Sequence, residues 1–232
     1  MKISALIVAV AGFAYAGGCS SPATGTTEGN STQVTASAPA PKTKTDLSKW
    51  QRATFAGGCF WCEEAIFESI TGVKEVISGY SGGHTENPTY EETGTGRTGH
   101  AEAIEVYYDS TVIKFSSLVS IYFASIDPFQ VNGQGPDHGS QYRSIIFYRN
   151  PAEKAIAEEA IDVENRQGDG LSKRKVAVEV MAFSKFWEGE DYHQDYVPNH
   201  PENPYVQHES IPRLKRTQAK VLEWVDPAKM AK

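Results

Sequence analysis

Residues 54 to 64 have the sequence Thr54-Phe-Ala-Gly-Gly-Cys-Phe-Trp-Cys-Glu-Glu64. The first three residues predict a short strand, and the residues from Cys59 onward predict a helix. Between them, Gly57 and Gly58 have no Cβ atom, so they allow a tight turn and a close approach of the backbone to a ligand. The pattern therefore predicts a strand, a glycine turn and a helix that opens with two cysteines.

Cys59 is the candidate nucleophile. It falls in the first turn of the predicted helix, where free N–H groups and the positive end of the helix dipole favour a thiolate over a thiol. An ordinary cysteine is only a few per cent thiolate at neutral pH, so this placement would activate it. Phe60 and Trp61 follow directly and suggest the wall of an apolar pocket. The alternative is that Cys59 is simply a buried structural cysteine.

The N-terminal region has the pattern of a targeting segment. Lys2 precedes an uncharged apolar run from Ile3 to Ala16, which is too short to span a membrane and has the shape of a signal-peptide core. Two glycines then precede Cys19, and this arrangement resembles a bacterial lipoprotein signal in which Cys19 is lipidated. We expect residues 1–19 to direct the protein out of the cytoplasm, as a lipoprotein anchored in the periplasm or at the outer membrane. An ordinary cleaved signal with an incidental cysteine is the alternative, because Ala16 stands where such signals usually carry leucine.

Composition divides the remainder of the chain. Residues 20–49 are rich in Ser, Thr, Ala, Pro and Gly and contain no aromatic residue, which predicts a flexible linker. Residues 50–226 hold all four tryptophans and are long enough for one domain with its own core, followed by a short tail over 227–232. The net charge of −7 argues against a nucleic-acid partner. Only two of the three cysteines lie in the domain, too few for a disulfide scaffold.

The periodicity of the domain predicts alternating strands and helices. After the first strand, the predicted elements are a helix over 59–70, strands over 73–79 and 100–108, a helix over 115–125, a strand over 143–149, a helix over 151–167, a strand over 176–183 and a helix over 210–224. This βαββαβ order predicts an α/β (α+β) fold, a ferredoxin-like sandwich with a mixed sheet. Residues 187–205, which are rich in aromatics, predict a long ordered C-terminal loop.

The last predicted helix has both a cap and an apolar face. Ser210 is expected to cap its start, with Pro212 in the first turn. Its apolar stripe would comprise Ile211, Leu214, Val221, Leu222 and Val225.

Glu102 is the candidate acid. Alternation along the strand over 100–108 puts it on one face with Ile104, Val106 and Tyr108. Burial on an apolar face raises the pKa of a carboxyl group, and a neutral carboxylic acid at pH 7 is a proton donor. Glu105 lies on the opposite face and is the weaker candidate. The alternative is that Glu102 lies on an edge strand and points to water.

Two glycine-rich turns supply candidate binding residues. The tract from Gly133 to Arg143 ends at a predicted strand and carries Asp137 and Tyr142, whose side chains can exchange hydrogen bonds with a ligand. A second turn carries Tyr80. Each tyrosine could instead belong to the core. The six histidines show no metal-ligand spacing, so we expect no metal; His84, His138 and His193 are predicted to be structural hydrogen-bonding residues.

Taken together, these motifs resemble the A-type peptide methionine sulfoxide reductases over residues 54–205. The matching motifs are Gly58-Cys-Phe-Trp61, Gly79-Tyr-Ser-Gly-Gly83, Asn87-Pro-Thr-Tyr90, Gly99-His-Ala-Glu102, Asp137-His-Gly-Ser-Gln-Tyr-Arg-Ser144 and Glu190-Asp-Tyr-His-Gln-Asp-Tyr196. The resemblance implies a thiol-dependent oxidoreductase that reduces the S-epimer of methionine sulfoxide, free or in oxidised proteins, and so repairs them. It implies no cofactor beyond an external reductant such as a thioredoxin-like protein, and we expect a monomer.

The resemblance also implies roles for individual residues. Cys59 is the nucleophile that becomes a sulfenic acid, and Phe60 and Trp61 hold the methyl group of the substrate. Glu102 is the acid. The residues around the sulfoxide oxygen and the substrate backbone are Tyr80, Asp137 and Tyr142.

The chain departs from a common family pattern in its cysteines. Many members carry resolving cysteines near the C-terminus, but this chain has none after Cys62. Cys62 lies three residues from Cys59 and is the possible resolving thiol, because that spacing allows a disulfide in the first turn of a helix. The alternative is that an external thiol resolves Cys59 directly.

Other functional classes remain open on the sequence alone. A thioredoxin-like disulfide oxidoreductase would also place Cys-x-x-Cys at a helix start, but it would not need Glu102 or the Asp137 loop. A surface-anchored binding protein would not need Cys59 at all. A zinc site at Cys59 and Cys62 lacks a second pair of ligands at standard spacing.

Overall fold

The computed structural model describes residues 46–167 and 174–231. The predicted signal, the predicted lipidation at Cys19 and the predicted linker up to residue 45 lie outside the described residues. No helix within the two described ranges is both long enough and apolar enough to cross a membrane.

Strands and helices alternate along the described part of the chain. The strands are β1 (Gln51–Ala56), β2 (Val73–Ser81), β3 (Ala101–Tyr108), β4 (Gly133–Gln134), β5 (Asp137–His138), β6 (Ile145–Tyr148), β7 (Glu179–Ala182) and β8 (Phe186–Glu188). The α-helices are α1 (Phe60–Glu68), α2 (Tyr90–Gly94), α3 (Phe115–Ser125), α4 (Pro151–Gln167), α5 (Tyr196–Asn199) and α6 (Ile211–Lys220). Short 3₁₀ turns cover Ser140–Tyr142, Asp191–His193, Leu222–Trp224 and Pro227–Lys229, and a π-helical turn covers Val206–Ser210.

The main sheet has six strands in the order β7-β6-β1-β3-β2-β8. Its four middle strands are antiparallel neighbours; α1 connects β1 to β2, and α3 lies between β3 and β6. This is the ferredoxin-like βαββαβ arrangement. β7 adds to β6 in parallel and β8 adds to β2 antiparallel, which makes the sheet mixed. The predicted fold class is confirmed, and so are the predicted bounds of α3 and α4.

The core packs β1 against α1 and α3. Phe55 stacks on Phe67 of α1, with ring centroids 5.3 Å apart, and on Tyr122 of α3 at 5.2 Å. All three side chains are fully buried. Burying a side chain of this size contributes roughly 1.5–3 kcal/mol, so these contacts hold the end of β1 and the start of α1 in place. The glycine turn between them is thereby fixed.

The sheet register puts Glu102 on the helix side. Glu102 lies directly opposite Tyr80 in the pairing of β2 with β3. Alternation places it on the same face as Ile104 and Val106, which belong to the core cluster that includes α1 and α3. β3 is a central strand, so the alternative of a solvent-facing edge position for Glu102 is excluded.

Two predicted elements are shorter than expected. The strand predicted over 176–183 is confined to β7, because only four of its residues find partners on β6. The loop predicted over 187–205 contains a 3₁₀ turn and α5, and its first residues belong to β8, which pairs with β2. Both differences arise from pairing between strands that are distant in the sequence.

The last helix also ends early. α6 stops at Lys220 because Val221 leaves helical conformation, with φ −122° and ψ 31°. The 3₁₀ turn that follows rotates the side chains, so Leu222 is 61% exposed and its predicted place in the apolar stripe is wrong. Val221 and Val225 are buried as predicted.

Candidate active site

The turn between β1 and α1 places Cys59 at the start of the helix. Gly58 adopts a φ of +85°, and a Cβ atom there would lie 2.5 Å from Cβ of Gln134, so no larger residue fits. Cys59 is the N-cap residue of α1, so the helix begins one position later than predicted, and Cys59 is 5% exposed. Its sulfur makes no capping hydrogen bond. The helix start therefore positions Cys59 but does not by itself stabilise a thiolate there.

Glu102 reaches the same helix start from β3. Its carboxyl Oε2 accepts a hydrogen bond from the backbone N–H of Phe60 at 3.1 Å. Burial, at 3% exposure, raises the pKa of Glu102 to about 8, although the Phe60 hydrogen bond opposes this shift. Glu102 is thus a protonated acid at neutral pH, held beside Cys59.

The surroundings of Cys59 and Cys62 shift the pKa values of the two thiols in opposite directions. Burial raises the pKa of the Cys59 thiol well above its usual range, and the hydrogen bond to Cys62 raises it further. The pKa of Cys62 falls to about 7, because the hydrogen bond from Cys59 and the charge of Arg213 outweigh burial. These opposite shifts favour a thiolate on Cys62 over one on Cys59, whereas the position at the helix start had predicted a thiolate on Cys59. The first helical turn brings the pair together, since Cys62 N–H donates to the Cys59 carbonyl at 3.2 Å.

Cys62 is enclosed by the C-terminal segment. Its sulfur donates to the hydroxyl of Ser210 at 3.2 Å and lies 4.0 Å from the hydroxyl of Tyr205. Ser210 does not cap the last helix, which corrects its predicted role. The π-helical turn runs directly into α6, so Ser210 lies inside a continuous helical segment. Its side chain contacts Cys62 instead of capping a helix.

A buried ion pair fixes α6 against the nucleophile turn. Glu63, next to Cys62, is 1% exposed and pairs with Arg213 of α6. Arg213 also donates to the carbonyl of Gly57 at 2.7 Å and to the carbonyl of Ser125 at 3.0 Å. The Ser125 hydroxyl donates to Glu63 at 2.9 Å. None of these residues was among the sequence-predicted site residues, because charged residues in amphipathic helices usually face water.

Aromatic rings form the wall beside Cys59. Trp61 stacks on Tyr196, with centroids 3.7 Å apart and planes within 7°. Its indole N–H donates to Nδ1 of His193 at 3.1 Å, and the His193 ring lies 4.9 Å from the ring of Phe60. His193 is thus a structural hydrogen-bonding residue, as predicted. The wall is rigid because each ring is held by a second one.

Tyr80 lies opposite Glu102 on the neighbouring strand, but its hydroxyl is hydrogen-bonded to a different carboxylate, that of Glu190. Its hydroxyl donates to Oε2 of Glu190 at 2.7 Å, and the other oxygen of Glu190 accepts the Tyr90 backbone N–H at 3.0 Å. Partial burial works against the charged form of Glu190, but these hydrogen bonds outweigh it and lower its pKa. Tyr80 must turn from Glu190 if it is to donate to a substrate oxygen.

Asp137 and Tyr142 are the two remaining polar residues predicted for the site. Asp137 accepts a hydrogen bond of 2.5 Å from the hydroxyl of Tyr205, and this contact joins the β5 hairpin to the segment that covers Cys62. Burial raises the pKa of Tyr142, and the nearby charges of Glu102 and Tyr90 raise it further, so its hydroxyl keeps its proton. Tyr205 and Tyr90 are site residues that sequence reasoning missed, although Tyr90 lies in a quoted motif.

The remaining histidines do not form a metal centre. His100 accepts a hydrogen bond from the Gly83 N–H at 3.0 Å and braces the turn after Tyr80. Among the described residues, no group of three or more His, Cys, Asp and Glu side chains is arranged to hold a metal ion. The residues that the structure does gather at one site are Cys59, Phe60, Trp61, Cys62, Tyr80, Glu102, Asp137 and Tyr142.

Comparison with known sequences agrees with this geometry. A sequence profile of the family described as peptide methionine sulfoxide reductase matches residues 51–224. The chain belongs to this family. The match includes every residue that the structure gathers at the site.

Individual relatives cover most of the domain. The chain is 46% identical to "Peptide methionine sulfoxide reductase MsrA" of Saccharolobus solfataricus over 71% of its own length and 90% of the relative. It is 43% identical to the protein of the same name from Pasteurella multocida, over 75% of this chain and 97% of that relative.

Solved structures of the family share the fold. Methionine sulfoxide reductase A of Corynebacterium diphtheriae matches with a TM-score of 0.63 and 33% identity, over 66% of this chain and 76% of that one. Mxr1 from Saccharomyces cerevisiae in reduced form matches with a TM-score of 0.63 and 28% identity, over 69% of this chain and 91% of that one. The ferredoxin-like domain is therefore a reductase of the peptide methionine sulfoxide reductase family.

Proposed function

We propose that the protein reduces the S-epimer of methionine sulfoxide, free or in oxidised proteins, to methionine. One observation carries the proposal: the protonated carboxyl of Glu102 accepts a hydrogen bond from the backbone N–H of Phe60, the residue that directly follows Cys59. A sulfoxide oxygen leaves sulfur only when it is protonated, so a nucleophile and an acid must act on the same S–O group. The aromatic wall of Phe60 and Trp61 suits the methyl group of such a substrate.

The first step transfers the oxygen. After the Cys59 thiol has given up its proton to water, its sulfur attacks the sulfoxide sulfur, and Glu102 gives its proton to the sulfoxide oxygen. The S–O bond of the substrate breaks and the hydroxyl ends on Cys59, so methionine leaves reduced by two electrons. Cys59 is oxidised to a sulfenic acid. Tyr142, and Tyr80 once it turns from Glu190, can donate to the oxygen as its charge changes.

The second step removes the sulfenic acid. We propose that Cys62 attacks the Cys59 sulfur, and that the hydroxyl leaves with the Cys62 proton as water. The close approach of the two thiols in one helical turn supports this role. Direct attack by an external thiol is the competing route.

The third step needs a reductant from outside. A disulfide between Cys59 and Cys62 can be reopened by a dithiol protein of thioredoxin-like type, through thiol–disulfide exchange. No metal or organic group enters any step.

We also propose that the reductase works outside the cytoplasm, tethered to a membrane through lipidated Cys19. The proposal rests on the charge and apolar pattern of residues 1–19. A tether of about 30 residues, over 20–49, would let the domain reach oxidised proteins near the membrane.

The decisive experiment is turnover of the two separate methionine sulfoxide epimers with dithiothreitol as reductant. We expect reduction of the S-epimer alone, abolished in Cys59→Ser. Equal activity on the R-epimer, or activity that survives the substitution, would refute the proposal. Reduction of insulin disulfides without sulfoxide reduction would instead indicate a disulfide oxidoreductase.

A further inference from the structure

We infer that the reductant which recycles this reductase attacks the sulfur of Cys59 and expels Cys62 as a thiolate held by Ser210 and Arg213. The inference rests on the proposed function, since it concerns the disulfide that Cys59 and Cys62 would form. It assigns a position to the mixed disulfide with the partner and a role to two residues of the C-terminal segment.

Access distinguishes the two sulfurs. Cys62 is completely buried, and Ser210 of the C-terminal segment, which contacts its sulfur, is completely buried too. A thiol could reach Cys62 only after this segment had moved away. Cys59 is 5% exposed and lies at the site that a methionine sulfoxide side chain must enter. Whatever admits the substrate to Cys59 also admits an incoming thiolate.

The direction of attack gives the same answer. Displacement at sulfur is in line, so the group that enters and the group that leaves lie on opposite sides of the sulfur atom. When Cys62 attacks the sulfenic acid, the hydroxyl leaves Cys59 on the substrate side. An incoming thiolate on that side then faces Cys59 with Cys62 directly behind it. Opening of the disulfide is thus the geometric reverse of its formation: the partner's sulfur approaches Cys59 from the side on which the hydroxyl left, and Cys62 departs on the other side.

The surroundings of Cys62 suit a leaving thiolate. The Ser210 hydroxyl lies 3.2 Å from its sulfur; it accepts from the thiol and can rotate to donate to the thiolate. The guanidinium of Arg213 adds positive charge, and its own position is fixed by Glu63 and by the Gly57 carbonyl. A thiolate that is stabilised in this way leaves faster. Cys59 has the carboxyl of Glu102 as its neighbour instead, which makes it the poorer leaving group.

The exchange step balances. The thiolate of the partner forms a bond to Cys59, the Cys59–Cys62 bond breaks, and its electron pair stays on Cys62. The partner is then bound to Cys59 through a mixed disulfide. The second thiol of the partner attacks this mixed disulfide and releases Cys59 as a thiolate. The partner and the methionine sulfoxide side chain therefore use the same entrance and cannot be bound together.

The test traps the mixed disulfide with glutathione, a monothiol that cannot complete the exchange. The full-length protein is oxidised by one turnover with methionine sulfoxide, and intact-mass measurement confirms that the sulfenic acid has become a disulfide. Glutathione is added, the reaction is quenched with acid at the earliest accessible times, and free thiols are blocked with N-ethylmaleimide. Tandem mass spectrometry then separates the two cysteines, because the backbone fragments at Phe60 and Trp61 between them.

We expect glutathione on Cys59 and N-ethylmaleimide on Cys62. Glutathione on Cys62 at the earliest times would overturn the inference. Failure of the disulfide to form would also overturn it, and the methionine released in the same sample would show separately whether the proposed sulfoxide reduction stands.

A matched pair of variants tests the leaving group. Ser210→Ala removes the hydroxyl beside Cys62 and should slow the opening of the disulfide by glutathione, because a thiol of higher pKa leaves more slowly. Thr217→Val removes a buried hydroxyl of the same helix that donates to the Arg213 carbonyl at 2.9 Å, and it should leave the opening rate unchanged. Equal opening rates in Ser210→Ala and the parent would refute the role of Ser210.

Discussion

The backbone N–H of Phe60 donates a hydrogen bond of 3.1 Å to the carboxyl group of Glu102. This contact joins the first residue of α1 to the middle of the sheet, 42 positions away in the sequence. The hydrogen bond favours the charged carboxylate, whereas burial favours the neutral acid, and burial prevails, since the pKa of Glu102 rises to about 8. The acid that the chemistry needs is thereby both positioned and protonated by the fold.

Replacement of this acid should slow the chemical step. Glu102→Gln keeps the size of the side chain but has no proton to give, so we expect methionine release in a single turnover to fall by roughly 10²–10⁴-fold, while substrate binding changes little. Glu105→Gln is the matched control: it lies on the opposite face of β3 and pairs with Arg149 at 2.7 Å. A normal single-turnover rate in Glu102→Gln would show that protonation comes from a tyrosine or from water.

The pH dependence should follow the same carboxyl group. Its pKa of about 8 in the folded protein lies above the ordinary glutamate pKa of 4.5, so it donates a proton below pH 8 and loses that ability above it. Loss of the Cys59 proton becomes easier with rising pH in both forms, so we expect the advantage of the parent over Glu102→Gln in single-turnover rate to be level toward neutral pH and to fall about tenfold per unit above pH 8. The same raised pKa affects stability. The free energy of unfolding should decrease as pH rises from 4.5 through 8, because the folded protein must then bury a charged carboxylate. An advantage of the parent over Glu102→Gln that stayed constant above pH 9 would contradict the assignment.

The buried pair of Glu63 and Arg213 should control stability. Arg213→Met leaves the carboxyl of Glu63 buried without its partner, so we expect the free energy of unfolding in urea to fall by about 3–5 kcal/mol. The double variant Glu63→Gln with Arg213→Met removes both charges and should recover a large part of that loss. A double variant no more stable than Arg213→Met alone would show that the loss does not arise from the unpaired charge of Glu63.

Cys62 should be needed for recycling rather than for the first chemical step. In Cys62→Ser, methionine should still be released in one turnover, but sustained turnover with a thioredoxin-like reductant should collapse. Mass spectrometry of the parent protein after one oxidising turnover should find a disulfide between Cys59 and Cys62. Two free thiols, or a lasting sulfenic acid on Cys59, would show that an external thiol resolves the enzyme instead.

The location of the protein depends on Cys19. If Cys19 carries the lipid, Cys19→Ser should release the protein into soluble fractions or block its processing, because a single apolar segment of this length does not hold a stable anchor. Membrane and soluble fractions of cells that express each form would be compared by immunoblot. Unchanged membrane retention of Cys19→Ser would refute lipidation at this position.

Local pattern was enough for much of the fold. The apolar spacing of residues 115–125 and the proline-to-glutamine span 151–167 predicted α3 and α4 at their observed bounds, because helix periodicity is written in neighbouring residues. Alternation along β3 likewise placed Glu102 on the apolar face. The strand, glycine turn and helix around Cys59 were also apparent, since only glycine tolerates the conformation of Gly58.

The tertiary structure decided which residues surround the cysteines. Ser210 was predicted to cap a helix, yet it contacts Cys62 across 148 positions of sequence, and Arg213 reaches Glu63 across 150. Ser210 and the charge of Arg213 both lower the pKa of Cys62, while burial raises that of Cys59. Hydrophobic periodicity and motif spacing in a sequence predict only contacts between residues that are close along the chain. The protonation of a buried thiol depends on charges and hydroxyl groups that the folded chain brings in from a distance.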